Sequence, residues 1–148
     1  MTLNEIRSTL LEQHAALRGM IEEARRGAER WKRGEWSRED TQACLQKLAA
    51  ELRAHNACEE RLLRQVIPTI DAWGLARSEV MTEVHLDEHR NLCAGLIGAV
   101  IGRDAERGAA TILVLLDAML EHMAHEEKIF LAADVLTDDV RVGEAFGG

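Results

Sequence analysis

The sequence contains no tyrosine, one proline and three cysteines among its 148 residues. The lack of tyrosine excludes chemistry that needs a tyrosyl radical on this chain. Proline is rare and the apolar residues show no clear alternating pattern, so the sequence predicts an all-α fold. An odd number of cysteines without paired spacing does not indicate a disulfide framework, and it favours a reduced, cytoplasmic protein.

Three further properties of the sequence each argue against a class of partner or location. The formal net charge of −8 argues against nucleic acid or an anionic membrane surface as the main partner. No apolar run approaches the ~20 residues that a membrane span needs. Residues 1–6 lack a basic region followed by an apolar core, so we expect no signal peptide. Hydrophobic residues nevertheless make up 47% of the chain, which is enough for the core of one soluble domain.

Apolar residues recur at spacings of three and four in four stretches, which predicts four amphipathic helices. The first is expected from about residue 4 to residue 33, with a capping box that begins at Thr2 and with Gly34 after its end. Ser37 is the predicted N-cap of the second helix. Pro68 should end or kink that helix, because proline clashes with the preceding helical turn.

The third helix is predicted from an N-cap at Ser78 to about Arg103. Asp104 or Glu106 is expected to begin the last connection, and the fourth helix follows to about residue 133. Short connections between helices of similar length predict an up-down-up-down four-helix bundle. We therefore expect a bundle over residues 1–133 and a short C-terminal tail over residues 134–148.

A repeated motif places histidine and glutamate on apolar helix faces. The pattern His-x-Ala-x-Glu-Glu-basic occurs at residues 55–61 and again at residues 122–128. In each copy the histidine and the first glutamate are four residues apart, so on a helix they share one face. That face is also the apolar one, and a bare carboxylate in a core is very costly unless it is paired or binds a metal.

Three more histidines lie on the apolar faces of the other two predicted helices. His14 is on the first, and His85 and His89 are four residues apart on the third. A lone histidine on such a face is usually a core residue, and a core in which these groups satisfy only one another is the alternative to a metal site. The joint pattern favours metal binding. The candidate metal ligands are His14, His55, Glu59, His85, His89, His122 and Glu126.

The type and number of these ligands indicate two metal ions. Imidazole suits zinc, copper, iron and nickel, whereas carboxylate favours harder ions. Five histidines and two glutamates are too many for one tetrahedral zinc ion. Suppose that each of two metals forms about six bonds. Five histidines, two bridging carboxylates and one bridging oxo or hydroxo group would then supply all of these bonds except one. The set therefore predicts an asymmetric dinuclear centre with one site open to a small ligand.

The order of these motifs resembles the haemerythrin-like, HHE cation-binding family. A lone His is followed by His-x3-Glu-Glu, His-x3-His and a second His-x3-Glu-Glu with Ile-Phe behind it. The resemblance covers roughly residues 4–133. It implies two non-haem iron ions with a bridging oxo or hydroxo group inside a four-helix bundle, held by the seven candidate ligands.

The last carboxylate leaves two alternatives. Haemerythrins proper have an aspartate five residues after the histidine, which is the Glu127 position, whereas many bacterial relatives have a glutamate four residues after it. On a regular helix five residues turn about 140° away from the face and four turn about 40°. We therefore expect Glu126 to be the ligand, with Glu127 as the alternative if the helix is distorted.

Three functions fit such a centre. The resemblance favours a protein that binds O2 or NO at one iron. The second is an enzyme that decomposes hydrogen peroxide or acts in oxidative or nitrosative stress, and the third is an iron- or oxygen-sensing module. The ferritin-like Glu-x-x-His signature is absent from the sequence, which argues against that class of di-iron enzymes. The motif alone does not establish whether the chain is an enzyme.

Weaker candidates surround the motifs. His125 lies between two proposed ligands, but we expect it to be exposed. Cys58 and Cys93 are expected to be small core residues, with pocket-lining or oxidation by peroxide as the alternative. Trp31, Trp36 and Trp73 are predicted to pack at the edges of the bundle.

Overall fold

The computed structural model describes residues 2–66, 75–99, 102, 104–129 and 131, with the backbone alone for residues 75–82 and 97. Its four helices are α1 (Leu3–Lys32), α2 (Arg38–Val66), α3 (Leu75–Gly98) and α4 (Ala105–Ile129). Both α1 and α3 pack against α2 and α4, which closes an up-down-up-down four-helix bundle. The predicted all-α bundle is confirmed. None of the described helices is long and apolar enough to cross a lipid bilayer.

Side-chain caps fix where three of the helices begin. The Thr2 hydroxyl accepts a hydrogen bond from the Glu5 backbone N–H at 3.1 Å, and the Glu5 carboxylate accepts one from the Thr2 N–H at 2.6 Å. Ser37 makes the same reciprocal pair with Asp40 before α2, with both distances at 3.0 Å. Asp104 accepts from the first backbone N–H groups of α4. The predicted caps of α1 and α2 are thus confirmed, and Asp104 caps α4, which begins at Ala105.

The predicted bounds of α3 are wrong at both ends. The helix begins at Leu75, so Ser78 lies inside its first turn and is not its N-cap. The residues between Leu75 and Ser78 have no helix-breaking side chain, and serine is tolerated in a helix at small cost. The helix ends at Gly98, five residues before the predicted Arg103, because glycines at 95 and 98 raise the entropic cost of continuing it.

Several predictions concern residues outside the described ones. These are the effect of Pro68, the loop at residues 71–74, the position of Trp73 and the tail at residues 134–148. The division into a bundle and a tail therefore stays a prediction. The predicted end of the fourth helix near residue 133 is wrong, because α4 ends at Ile129 and the Leu131 backbone N–H bonds to the Glu126 carbonyl, five residues back instead of the four of an α-helix.

The buried apolar side chains form two clusters along the bundle. The larger one contains Leu17, Ile21, Leu52 and Met119, and the smaller one contains Leu10 together with side chains near the end of α2. On α1, His14 lies between Leu10 of one cluster and Leu17 of the other. The polar residues of the repeated motif therefore form a layer between two apolar clusters.

Tryptophan packs closely against glycine near one end of the bundle. Trp31 is buried, and a Cβ atom added at Gly108 would lie 2.3 Å from its ring. A Cβ atom at Gly27 would lie 2.5 Å from the ring of Trp36 in the same way. The edge positions predicted for Trp31 and Trp36 are consistent with these contacts, which require glycine on the facing helix turn.

Gly108→Ala is expected to destabilise the bundle, because the new methyl group would overlap the buried Trp31 ring. Overpacking of this kind costs about 1–3 kcal/mol. Gly19→Ala is the matched control, because its Cβ would meet nothing within 4 Å and alanine favours a helix by about 1 kcal/mol over glycine. Thermal unfolding should show a lower Tm for the first variant and an equal or higher Tm for the second. Equal gains in both variants would contradict the packing described here.

Candidate metal centre

The structure brings all seven sequence-predicted side chains into the polar layer. Helix α1 contributes His14, α2 His55 and Glu59, α3 His85 and His89, and α4 His122 and Glu126. Each is at most 8% exposed, and both carboxylates are at most 1% exposed. Two buried carboxylates with no lysine or arginine as an ion-pair partner among the described residues need another source of positive charge.

Glu59 contacts four histidines, two with each of its oxygens. Its Oε2 lies 3.4 Å from His14 Nε2 and 3.0 Å from His55 Nε2. Its Oε1 lies 2.7 Å from His85 Nε2 and 3.4 Å from His89 Nε2. The carboxylate therefore lies between a pair of histidines from α1 and α2 and a pair on α3, with one oxygen directed to each pair.

Glu126 lies opposite and contacts both sides as well. Its Oε1 lies 3.3 Å from His14 Nε2 and 3.2 Å from His122 Nε2. Its Oε2 contacts His85 Nε2 and lies 3.4 Å from His89 Nε2. The two copies of the repeated motif thus place their first glutamates in equivalent roles.

The donor atoms form two groups that can each hold a metal ion. One group is His85, His89, His122 and Glu126, and the other is His14, His55, Glu59 and Glu126. Within each group the ligand atoms lie within 4.8 Å of one another. The Nε2 atoms of His14, His55 and His122, both oxygens of Glu59 and Oε1 of Glu126 are buried without a hydrogen-bond partner. Unpaired buried donors that converge in this way fit metal ions.

Outer partners orient three of the rings. His122 Nδ1 donates to Glu88 Oε2 at 2.6 Å, and His14 Nδ1 donates to Glu127 Oε2 at 3.1 Å. His55 Nδ1 lies 2.6 Å from Gln13 Oε1. Because the outer nitrogen carries the proton in each of these bonds, the inner Nε2 has a free lone pair. This is the arrangement that metal-binding histidines require.

The surroundings of two members of the cluster favour an ionised Glu59 and a neutral His122. Burial by itself would raise the pKa of Glu59, but the four histidine rings that surround the carboxylate lower that pKa well below its ordinary value. Burial lowers the pKa of His122 to about 4, with His89 and His85 acting in the same direction and Glu88 opposing them. At neutral pH His122 is therefore uncharged, as a metal ligand must be.

The second glutamate of each repeat has an outer role that the sequence analysis missed. Glu127 is 27% exposed and forms an ion pair with Arg18 at 2.6 Å in addition to its bond with His14. Glu60 lies 3.5 Å from His89 Nδ1. Each repeat thus places its first glutamate among the candidate ligands and its second beside a histidine of a neighbouring helix.

Two other outer partners, Gln13 and Glu88, were also missed. Each is next to a histidine in the sequence, yet each bonds to a histidine on a different helix. The only sequence signal is a polar side chain beside an apolar stripe, and that signal is common on any amphipathic helix. Which ring such a side chain meets depends on how the helices are rotated in the bundle.

The weaker candidates lie outside the cluster. His125 is exposed, as predicted. Cys58 accepts a hydrogen bond from Gln13 Nε2 at 3.5 Å, and Cys93 accepts one from Asn56 Nδ2 at 3.7 Å. Burial raises the pKa of the Cys93 thiol, so it is protonated at neutral pH. Cys58 packs against the smaller apolar cluster, as expected, whereas Cys93 also lines a cavity beside His89, which agrees with the pocket-lining alternative.

Comparison with known proteins gives one match. Residues 5–133 match the family model of the hemerythrin HHE cation-binding domain. A search of curated proteins and a search of solved structures found no significant match. The matched range contains α2, α3, α4, all of α1 except its first two residues, and all seven clustered side chains. The chain therefore belongs to the hemerythrin HHE cation-binding domain family.

Proposed function

We propose that the chain holds two iron ions in the histidine and glutamate cluster and binds O2, or another small diatomic such as NO, at one of them. The observation that carries the proposal is the pair of four-residue donor groups that share Glu126. Iron accepts both imidazole and carboxylate ligands, so this mixed set suits it. A ferrous pair with a bridging oxo or hydroxo group would supply the electrons that a diatomic ligand accepts.

The unequal number of histidines supports a single open position. One donor group contains three histidines and the other contains two, His14 and His55. Glu59 contacts histidines of both groups, so if it were shared as Glu126 is, the ion beside His14 and His55 would have one protein ligand fewer. The open site would therefore be on that ion.

The protein residues would keep this site dry. Leu17 and Leu52 are buried within one helical turn of His14 and His55, respectively, and belong to the larger apolar cluster. Excluding water favours reversible binding of an uncharged diatomic molecule, because it prevents side reactions of the bound molecule with water. No charged side chain other than the two glutamates is fully buried among the described residues.

Peroxide decomposition is the second candidate, because solvent-open cavities reach the other side of the cluster. His122 lines a cavity between α3 and α4, and His89 lines a cavity between α2 and α3. Small polar molecules such as hydrogen peroxide could reach the three-histidine side by these openings. The sensing alternative depends on the C-terminal tail, which lies outside the described residues.

The visible absorption spectrum of the anaerobically iron-loaded chain tests the proposal. We expect a new band on adding O2 that disappears under vacuum and returns on a second addition. A spectrum that goes directly to a stable oxidised form would overturn reversible O2 binding. Consumption of hydrogen peroxide, measured on the same sample, would then favour the enzyme.

A further inference from the structure

A cavity of about 480 Å³ lies between α3 and α4, outside the cluster itself. It is lined by Glu88, Asn91, Leu92, Ala118, Glu121, His122 and His125. Glu121 and His125 are exposed at its rim, and the Glu88 side chain is 47% exposed. The cavity is therefore open to solvent.

His122 connects this cavity to the candidate metal centre. Its ring lines the cavity, yet its side chain is 6% exposed. Its Nε2 has no hydrogen-bond partner and lies 3.2 Å from Glu126 Oε1, while its Nδ1 donates to Glu88. One buried imidazole thus forms part of the cavity wall on one side and part of a donor group on the other.

The charge of the lining distinguishes this cavity from the one on the other side of α3. Glu88 and Glu121 are its charged side chains, and neither lysine nor arginine is among its described lining residues. The cavity between α2 and α3 also reaches the centre, through His89, but its charged lining is two arginines, Arg53 and Arg90, against a single glutamate, Glu60. A lining of one sign focuses the field in a cleft and raises the local concentration of ions of the opposite sign.

We propose that the cavity between α3 and α4 is the route by which divalent metal cations reach the centre. This proposal rests on the proposed function, because it requires that the cluster binds metal. Carboxylate oxygens and imidazole along the cavity would replace the water ligands of the cation one at a time, as the cation moves from Glu121 towards His122. The arginines of the opposite cavity would make that route unfavourable for a cation.

The test is the loading rate of the metal-free chain with Co²⁺, followed by the absorption of the bound ion in a stopped-flow instrument. Glu121→Lys reverses a charge at the rim without changing a candidate ligand. Glu51→Lys is the matched control, because Glu51 is exposed on α2 and lines none of the described cavities. Circular dichroism establishes that the metal-free wild type and both variants are folded at the assay temperature.

We expect Glu121→Lys to slow loading about 10-fold at low ionic strength, whereas Glu51→Lys changes it less than about 2-fold. The difference should shrink at 0.5 M salt, because salt screens exposed charges. The final number of bound ions should be the same in all three proteins. Equal loading rates for the two variants would overturn the proposed route but leave the metal centre standing. A wild type that binds neither Co²⁺ nor Fe²⁺ would overturn the proposed function and the route with it.

Discussion

Glu126→Gln is expected to lose metal binding, whereas Glu127→Gln keeps it. Glu126 is 1% exposed and contacts four histidines of the cluster. Glu127 is 27% exposed, pairs with Arg18, and among the candidate ligands contacts the outer nitrogen of His14. Outer partners of metal ligands contribute about 10–100-fold to metal affinity. We therefore expect a loss above about 100-fold for Glu126→Gln and at most about 10-fold for Glu127→Gln, because a glutamine at 127 can still accept from His14.

Titration of each variant with ferrous iron under anaerobic conditions measures both affinities. The two substitutions are adjacent, remove the same charge and have the same size, so each controls for the other. The reverse order of effects would make Glu127 the ligand. That result would mean that α4 is distorted near its end when metal is bound.

Removal of the metal by a chelator is expected to lower the stability of the bundle strongly. The five imidazoles and two carboxylates occupy the middle of the core, and a ligand that binds only the folded chain stabilises it in proportion to the logarithm of its concentration over Kd. At 1,000 times Kd this amounts to about 4 kcal/mol. For a domain of this size we expect Tm to fall by roughly 10 °C or more on chelation.

Thermal unfolding with and without the chelator measures this effect. Glu126→Gln is the control, because a chain that binds no metal should have the same Tm in both conditions. An unchanged Tm for the wild type would indicate that the histidines and glutamates satisfy one another in an ordinary core, which is the alternative to metal binding.

The sequence was sufficient to predict the seven clustered side chains because helical spacing places them on apolar faces. His55 and Glu59 share a face by their four-residue spacing alone, and the repeat at His122 and Glu126 makes coincidence less probable. The regular course of α4 places Glu126 inside and Glu127 outside. Helix geometry thus predicts which of the two glutamates is buried, and the assignment of Glu126 as the ligand stays a prediction.

The contacts around the cluster could not be predicted in the same way. Gln13 precedes His14 but bonds to His55, and Glu88 precedes His89 but bonds to His122. Such contacts depend on the rotation and spacing of neighbouring helices. The spacing of apolar residues within one helix does not determine either of these. The cavity beside His122 could not be predicted for the same reason, since it depends on how far α3 and α4 stand apart.

The bounds of α3 show a different limit. Serine is a preferred N-cap residue, but the residues before Ser78 also favour a helix. Their helix propensity outweighs the capping preference of Ser78, so the helix starts earlier. Element boundaries depend on small differences of this kind. The wrong helix bounds did not affect the prediction of the clustered residues, because His85 and His89 lie well inside the helix.

The number of iron ions bound per chain, measured by elemental analysis of the anaerobically loaded protein, tests the central claim most directly. Two donor groups that share Glu126 predict about two ions per wild-type chain. A single ion per chain would contradict the dinuclear centre, and no bound iron would contradict the proposed function as a whole.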